Sequence, residues 1–369
     1  MKILIAAAKT GGHIYPAVSV GSEFINKSHN VIFLGSNNIL EKNALKNQPD
    51  IQYESILMKG FRGNGFVSKL LVLFNLPLNT YTLIKLIKKN NIDIVIVFGG
   101  FITIPVSLAA LILRKPIYVH EQNTILGSAN KISSIFSKKN FLGMPLHNNN
   151  LKKSELVGNP IRKAFKPLLQ KKYDENIHIY ITGGSQGAKY LNENLPQILK
   201  HINHPVFIKH QCGSGKKEEV VSLYEDFKNV EVEEFFDEPN LLIDWSDFVI
   251  SRSGALSLSE TMSMNKGSLM IPLPNAIDNH QYFNAKYVEE KGMGIIHEQK
   301  YGIENLKTVI NLILSEKKYL VWQKIKFEIK HTEAAKNIVS SILKQSSCLL
   351  YTSDAADEGL GVDLGGRRI

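Results

Sequence analysis

The chain has 369 residues, with 44% hydrophobic and 21% charged, the balance of a soluble globular protein long enough for two domains with full-sized cores. Two cysteines, Cys212 and Cys348, have no paired spacing, which excludes a disulfide framework or a cysteine zinc site and suits a reducing, cytoplasmic setting. The formal charge is +10, and the segment from Ser346 holds four acids against two arginines, so the remaining body carries +12. Such a body suits an anionic partner, whether nucleic acid, phosphorylated substrate or membrane surface, or reflects lysines spread over solvated faces.

The N-terminus runs directly into a core-strand pattern, so no secretory leader is expected. Short apolar, β-branched runs recur at 3–8, 31–34, 94–98, 117–120, 140–142 and 155–157. A second series follows at 177–181, 206–210, 231–235, 248–250, 268–271 and 295–296. Amphipathic helical patterns separate them, which predicts α/β architecture with parallel sheets covered on both faces. The apolar stretch 101–113 contains Pro105 and runs only about 13 residues, where a bilayer span needs ~20. Val157-Gly158-Asn159-Pro160-Ile161-Arg162 reads as the domain junction. Residues 319–344 predict one or two helices with apolar spacing at Ile325, Ile329, Ala334, Ile338 and Ile342. From 346 to 369 the composition turns to small residues, glycines and acids, and a disordered or non-native tail is expected.

Each half opens on a glycine-rich strand-to-helix turn: Thr10-Gly11-Gly12-His13 after the first run, and Gly183-Gly184-Ser185-Gln186-Gly187-Ala188 after the run at 177–181. A buried strand, a tight glycine turn and a helix N-terminus together form an anion cradle. Two of them imply two Rossmann-like domains facing a cleft, with a nucleotide- or phosphate-bearing substrate. His13, ahead of a helix expected near Pro16, is a candidate general base, or a cap or phosphate contact. Ser185 adds a hydroxyl to a diphosphate site. Ser251-Arg252-Ser253-Gly254 repeats the turn ahead of Ala255, Leu256, Ser257, Leu258, Ser259 and Glu260. Glu260 suits the two hydroxyls of a ribose, or a capping role at that helix. His120-Glu121-Gln122-Asn123 ends a strand, where open α/β sheets bind ligands, and the amide-dense segment with Asn279, Gln281 and Asn284 offers donors and acceptors for sugar hydroxyls.

In this order, TGGHIYPA, GGF, HEQN, VGNPIR, GGSQGA, SRSGALSLSE and DNHQYFNA resemble the MurG family of UDP-N-acetylglucosamine-dependent glycosyltransferases, over residues 1 to about 345. The resemblance implies a GT-B fold. Residues 1–162 would be the acceptor-side, membrane-side domain, 163–330 the UDP-GlcNAc domain, and a helix at about 331–345 would return to the first. The implied reaction moves GlcNAc from UDP-GlcNAc to the C4 hydroxyl of MurNAc in undecaprenyl-pyrophosphoryl-MurNAc-pentapeptide, with inversion, in peptidoglycan synthesis. By their own positions His13 is the candidate general base, and Glu121, at a neighbouring strand end, is the alternative base or the group that orients His13. Thr10, Gly11 and Gly12 would line the cleft, with Asn123 near the donor sugar. Arg162 and Ser185 fall on the nucleotide side, residues 255–260 at the diphosphate and ribose, Phe236 at the uracil through its backbone, and Gln281 on GlcNAc hydroxyls. No cofactor or metal is expected, since helix N-termini and side-chain donors would meet the charge on departing UDP.

The chain departs from the family pattern at Lys9 (usually glycine), Phe101 (commonly tyrosine) and His280 (often glutamine). Residues 59–89 combine Phe61, Phe66, Leu70, Leu71, Leu73, Phe74 and Leu76 with Lys59, Arg62, Lys69, Lys85, Lys88 and Lys89. That is the composition of a peripheral contact with the anionic cytoplasmic leaflet, or of a core helix with solvated lysines. The rival readings are another GT-B enzyme on a different lipid acceptor and a non-catalytic sugar-nucleotide-binding subunit. Nucleic-acid binding has charge alone in its favour, with no recognition motif.

Overall fold

The computed structural model describes residues 1–8, 10–56, 66–148, 150–167, 176–184 and 186–358, with backbone only for 66–74 and 347–358. The first half alternates β1 (Lys2–Ala6), α1 (Gly11–Asn26), β2 (Asn30–Gly35), α2 (Ile39–Leu45), β3 (Ile51–Ser55), α3 (Phe66–Lys89), β4 (Ile94–Val97), α4 (Thr103–Ile112), β5 (Ile117–Glu121), α5 (Ser128–Phe136), β6 (Lys139–Leu142) and β7 (Ser154–Leu156). The second has β8 (Ile177–Thr182), α6 (Lys189–Leu199), β9 (Val206–Gln211), α7 (Lys217–Tyr224), β10 (Val230–Glu233), α8 (Pro239–Trp245), β11 (Phe248–Ser251), α9 (Ala255–Ser263), β12 (Gly267–Met270), α10 (His280–Glu290), β13 (Gly294–Ile296), α11 (Gly302–Ser315), α12 (Lys318–Trp322) and α13 (Ala334–Glu358).

The strands form a seven-stranded sheet, β3-β2-β1-β4-β5-β6-β7, and a six-stranded sheet, β10-β9-β8-β11-β12-β13. Every pairing is parallel. The continuous apolar runs explain this, because a parallel strand covered by helices on both faces has no solvent side to keep polar. In each sheet the order reverses beside the first strand, β1 or β8, and open α/β sheets bind ligands at the carboxyl ends of strands at that switch.

β3 is absent from the apolar runs of the sequence. It is an edge strand with alternating exposure, in which Ile51 is buried and Gln52 exposed. Of the one or two helices expected through 319–344, two form, α12 and α13, parted after Trp322. There the chain leaves the second sheet, Ile325 packing with that half's core, and re-enters a helix at Ala334, where Ile338 and Ile342 are buried with Ile3 and Phe24. The segment set apart from Ser346 as disordered or non-native is helical as far as Glu358. It continues α13, since no glycine or proline intervenes before Gly359. Residues 359–369 lie outside the described residues.

Candidate active site between the two sheets

After β1 the chain turns at Thr10, whose extended backbone (φ −130°, ψ 155°) already accepts from the N–H groups of His13 and Ile14 at 3.0 and 3.1 Å. Helix α1 therefore begins at Gly11, not near Pro16, and His13 stands within its first turn. Thr10 Oγ1 lies 3.1 Å from His13 Nδ1. When the hydroxyl accepts, the proton sits on Nδ1 and Nε2 is the basic nitrogen. The ring lies against Gly99, where a Cβ would come within 2.8 Å of His13 Cδ2 and Nε2 and where φ is +111°. Glycine is required there both for backbone conformation and for room.

The end of β5 supplies the next group. Glu121 is buried, and its carboxylate accepts from the Asn123 N–H and Nδ2 at 3.0 Å each, from the Gly127 N–H at 2.9 Å and from Asn130 Nδ2 at 2.8 Å. Four donors occupy both oxygens, so this carboxylate anchors the 123–130 loop and the start of α5. Beside it His120 is wholly buried. Its Nδ1 stands 3.1 Å from Gln122 Nε2 and its Nε2 3.2 Å from the Gly158 carbonyl, and burial pushes its pKa down to about 4. It is a neutral, fully engaged ring.

In the second half, Gly187 packs against Cys212, just past the end of β9. A Cβ on Gly187, with φ +67°, would collide with the Cys212 carbonyl. Ser185 lies outside the described residues. The Gly187 N–H bonds the Gly184 carbonyl at 3.0 Å, and α6 begins only at Lys189, so Gln186, Gly187 and Ala188 form a turn ahead of the helix. Gln211, unremarked in the sequence, links this turn to the neighbouring loop. Its Nε2 donates to the Gly184 carbonyl at 3.1 Å, and its Oε1 accepts from the Phe236 N–H at 3.3 Å. Phe236 itself packs edge-on to Tyr180.

Helix α9 opens at Gly254 with no side-chain cap, so its first-turn N–H groups are available to an anion. Ala255 and Leu258 are core residues, Leu256 packs on a second cluster, and Ser259 donates to the Ala255 carbonyl. Ser257 and Glu260 remain partly exposed. Glu260, 13% exposed, lies 3.6 Å from Arg162 Nη2. Burial pushes its pKa up to about 7, against the opposing pull of Arg162. On α10, Gln281 Oε1 accepts from the Leu273 N–H at 2.9 Å.

Residues to which the sequence assigned no bridging role join the halves. Asn284 is buried; its Oδ1 accepts from Thr124 N–H and Oγ1 at 2.9 and 3.1 Å, and its Nδ2 donates to Asn123 Oδ1 at 3.0 Å. Asn159 Nδ2 donates to Ser259 Oγ at 2.9 Å and to the Gln122 carbonyl at 3.1 Å. Met144, just past β6, is buried in the second half's cluster with Ala255, Leu258, Met262 and Ala285. A density of amides flagged the neighbourhood of Asn284, but nothing local marks Met144.

Residues 3–142 match the glycosyltransferase family 28 N-terminal domain, and 178–341 match the family 28 C-terminal domain. With two parallel α/β sheets and glycine turns at the switch of each, these matches define a glycosyltransferase of the GT-B class. The chain is 31% identical to the UDP-N-acetylglucosamine–N-acetylmuramyl-(pentapeptide) pyrophosphoryl-undecaprenol N-acetylglucosamine transferase of Haemophilus ducreyi, over 94% of this chain and 99% of that one. It is 33% identical to the enzyme of the same name from Francisella tularensis, over 84% and 87%. The crystal structure of Acinetobacter baumannii MurG superposes with a TM-score of 0.76 at 29% identity, over 93% of this chain and 99% of that one. The chain belongs to the MurG family of N-acetylglucosamine transferases.

Proposed function

We propose that this enzyme transfers GlcNAc from UDP-GlcNAc to the C4 hydroxyl of the MurNAc unit of undecaprenyl-pyrophosphoryl-MurNAc-pentapeptide, inverting the anomeric centre. The observation that carries this reading is the pairing of two half-sites across one junction: the turn bearing His13 on one sheet, and the uncapped α9 with Glu260 on the other, bridged by Arg162. UDP-GlcNAc is held by the second half, with its diphosphate at the α9 N-terminus and the turn at 183–187, its ribose at Glu260 and its sugar near Gln281 and Asn123. His13 Nε2 removes the proton of the attacking hydroxyl as the C4 oxygen displaces UDP from the opposite face. With its carboxylate already accepting four hydrogen bonds, Glu121 fits a role in placing Asn123 better than that of base.

The polyprenyl acceptor places the reaction at a membrane, and we assign a peripheral contact with the anionic cytoplasmic leaflet to residues 59–89. Among the described residues no helix is long and apolar enough to cross a bilayer. Residues 57–65 and the side chains of 66–74 lie outside the description, which covers Leu78 and Tyr81, both exposed, with Lys85 over the Tyr81 ring. Neighbouring α4 and α5 carry exposed Ile112 (60%) and Ile135 (72%), with Arg114, Lys115 and Lys138 close by in sequence; exposed apolar side chains together with cations suit an anionic leaflet. Labelled UDP-GlcNAc with a lipid-linked MurNAc-pentapeptide acceptor tests the function: a lipid-linked disaccharide is expected, and its absence with folded protein overturns the reading.

A further inference from the structure

Tyr15 stands two residues after His13 on α1, partly buried. Its ring covers the glycine turn closely enough that a Cβ on Gly11 would lie 3.2 Å from Tyr15 Cε2. The Arg162 guanidinium stacks over the same ring at 5.4 Å and over Phe165 at 4.9 Å, while its Nη2 faces Glu260 Oε1 at 3.6 Å. The four groups form one unbroken row of contacts from the turn of the first half to the carboxylate of the second. An arginine is suited to this place, since its flat cation can stack on two aromatic faces while its edge meets a carboxylate.

We propose that Tyr15 is a positioning residue that couples the turn at residues 10–13 to Glu260 through Arg162, so that occupancy of that turn and binding of the nucleotide sugar influence each other. The inference rests on the reading of Glu260 as the ribose acceptor. A ligand that shifts Gly11 moves the ring, the ring moves the guanidinium, and the guanidinium sets where the Glu260 carboxylate is held. By reciprocity, a ribose bound to the Glu260 carboxylate that Arg162 holds in place steadies the ring over the glycine turn.

The test is calorimetric binding of UDP-GlcNAc to the wild type, Tyr15→Leu, Tyr15→Phe, Glu260→Gln and the double variant Tyr15→Leu/Glu260→Gln. Loss of the ring face should weaken binding ~2–5-fold in Tyr15→Leu, the range of a partly exposed cation–π contact, with Tyr15→Phe restoring wild-type affinity. In the Glu260→Gln background Tyr15→Leu should cost nothing further, because the row is already cut. In steady state, Tyr15→Leu should raise KM for UDP-GlcNAc while kcat at saturation is held. Wild-type affinity in Tyr15→Leu, or additive losses in the double variant, would overturn the coupling while leaving the functional reading intact. Failure of the wild type itself to bind UDP-GlcNAc would overturn both. Tyr15→Met serves in the same comparison if the leucine variant does not fold.

Discussion

The backbone N–H of Asn159 donates to Nδ1 of His331 at 2.8 Å, tying together the two points at which the chain passes between its halves. Because Nδ1 accepts, the ring proton resides on Nε2. His331 is buried and stacked on Phe327, and its pKa is pushed down to about 3, by burial first and by His120 second. The junction is thus built around a histidine that must remain neutral.

Stability should therefore fall on acidification from about pH 6.5. His331, His120 and His210 have folded pKa values of about 3, 4 and 3, all below the ordinary 6.5. In that window the unfolded chain binds protons that the folded chain does not, so stability is present above pH 6.5 and is lost toward pH 4. Each such group adds up to ~1.4 kcal/mol per pH unit. Urea unfolding between pH 7.5 and 5 measures the slope, and His331→Asn should flatten it; an unchanged slope counts against this account of the junction.

Glu260→Ala should weaken UDP-GlcNAc binding by roughly 1.5–3 kcal/mol, as for a lost charged acceptor, with lipid acceptor affinity unaffected. Glu260 has a pKa raised to about 7, largely by burial, so its ionised form, the better acceptor for ribose hydroxyls, is depleted below that pH. Donor affinity should accordingly decline from pH 8 to pH 6, and Glu260→Gln should abolish that dependence. Calorimetry at the two pH values decides; equal wild-type affinity at both removes the carboxylate from the ribose site.

His13→Ala should lower turnover about 10²–10⁴-fold while UDP-GlcNAc still binds. Glu121→Gln should act differently. Replacing one oxygen by an amide turns a donor against the donors already there, at a cost of about 1–3 kcal/mol, so its melting temperature should drop along with its activity. If Glu121→Gln melts like the wild type yet loses more turnover than His13→Ala, the base is Glu121.

Vesicle co-sedimentation tests the membrane contact. Replacing Leu73 and Phe74 with serine, or Lys69 and Lys85 with glutamate, should reduce binding to anionic vesicles, the charge swap most visibly at low salt. Turnover on a short water-soluble acceptor should survive. Equal sedimentation by all three proteins would locate the contact elsewhere.

Most of the fold was legible because parallel, doubly covered strands leave long apolar runs; β3 escaped because an edge strand with one wet face does not. The second turn was legible because Gly184 and Gly187 hold φ of +80° and +67°, which glycine alone adopts without strain, whereas Gly11 and Gly12 were legible only as the start of a helix after a strand, carrying no positive φ. Past Tyr319 the sequence left one helix or two open, because apolar spacing is the same whether its residues face one core or two. Ile325 and Ile338 fit a single stripe in sequence yet serve different halves. The pairings of Asn159 with Ser259 and of Asn123 with Asn284 join residues remote in the chain, so no local pattern announces them.

Met144 has a consequence for how the enzyme can be taken apart. The second half's core beside α9 is closed by a side chain that the first half lends to it. A fragment beginning after Arg162 would carry a hole where that thioether belongs, under the very helix assigned to the diphosphate. Voids of that size cost ~2–5 kcal/mol when a buried methionine is cut back to alanine. The nucleotide-sugar half should therefore be less stable alone than within the whole chain. An isolated piece that binds UDP-GlcNAc weakly would report on a missing lodger in its core, not on the affinity of the intact enzyme.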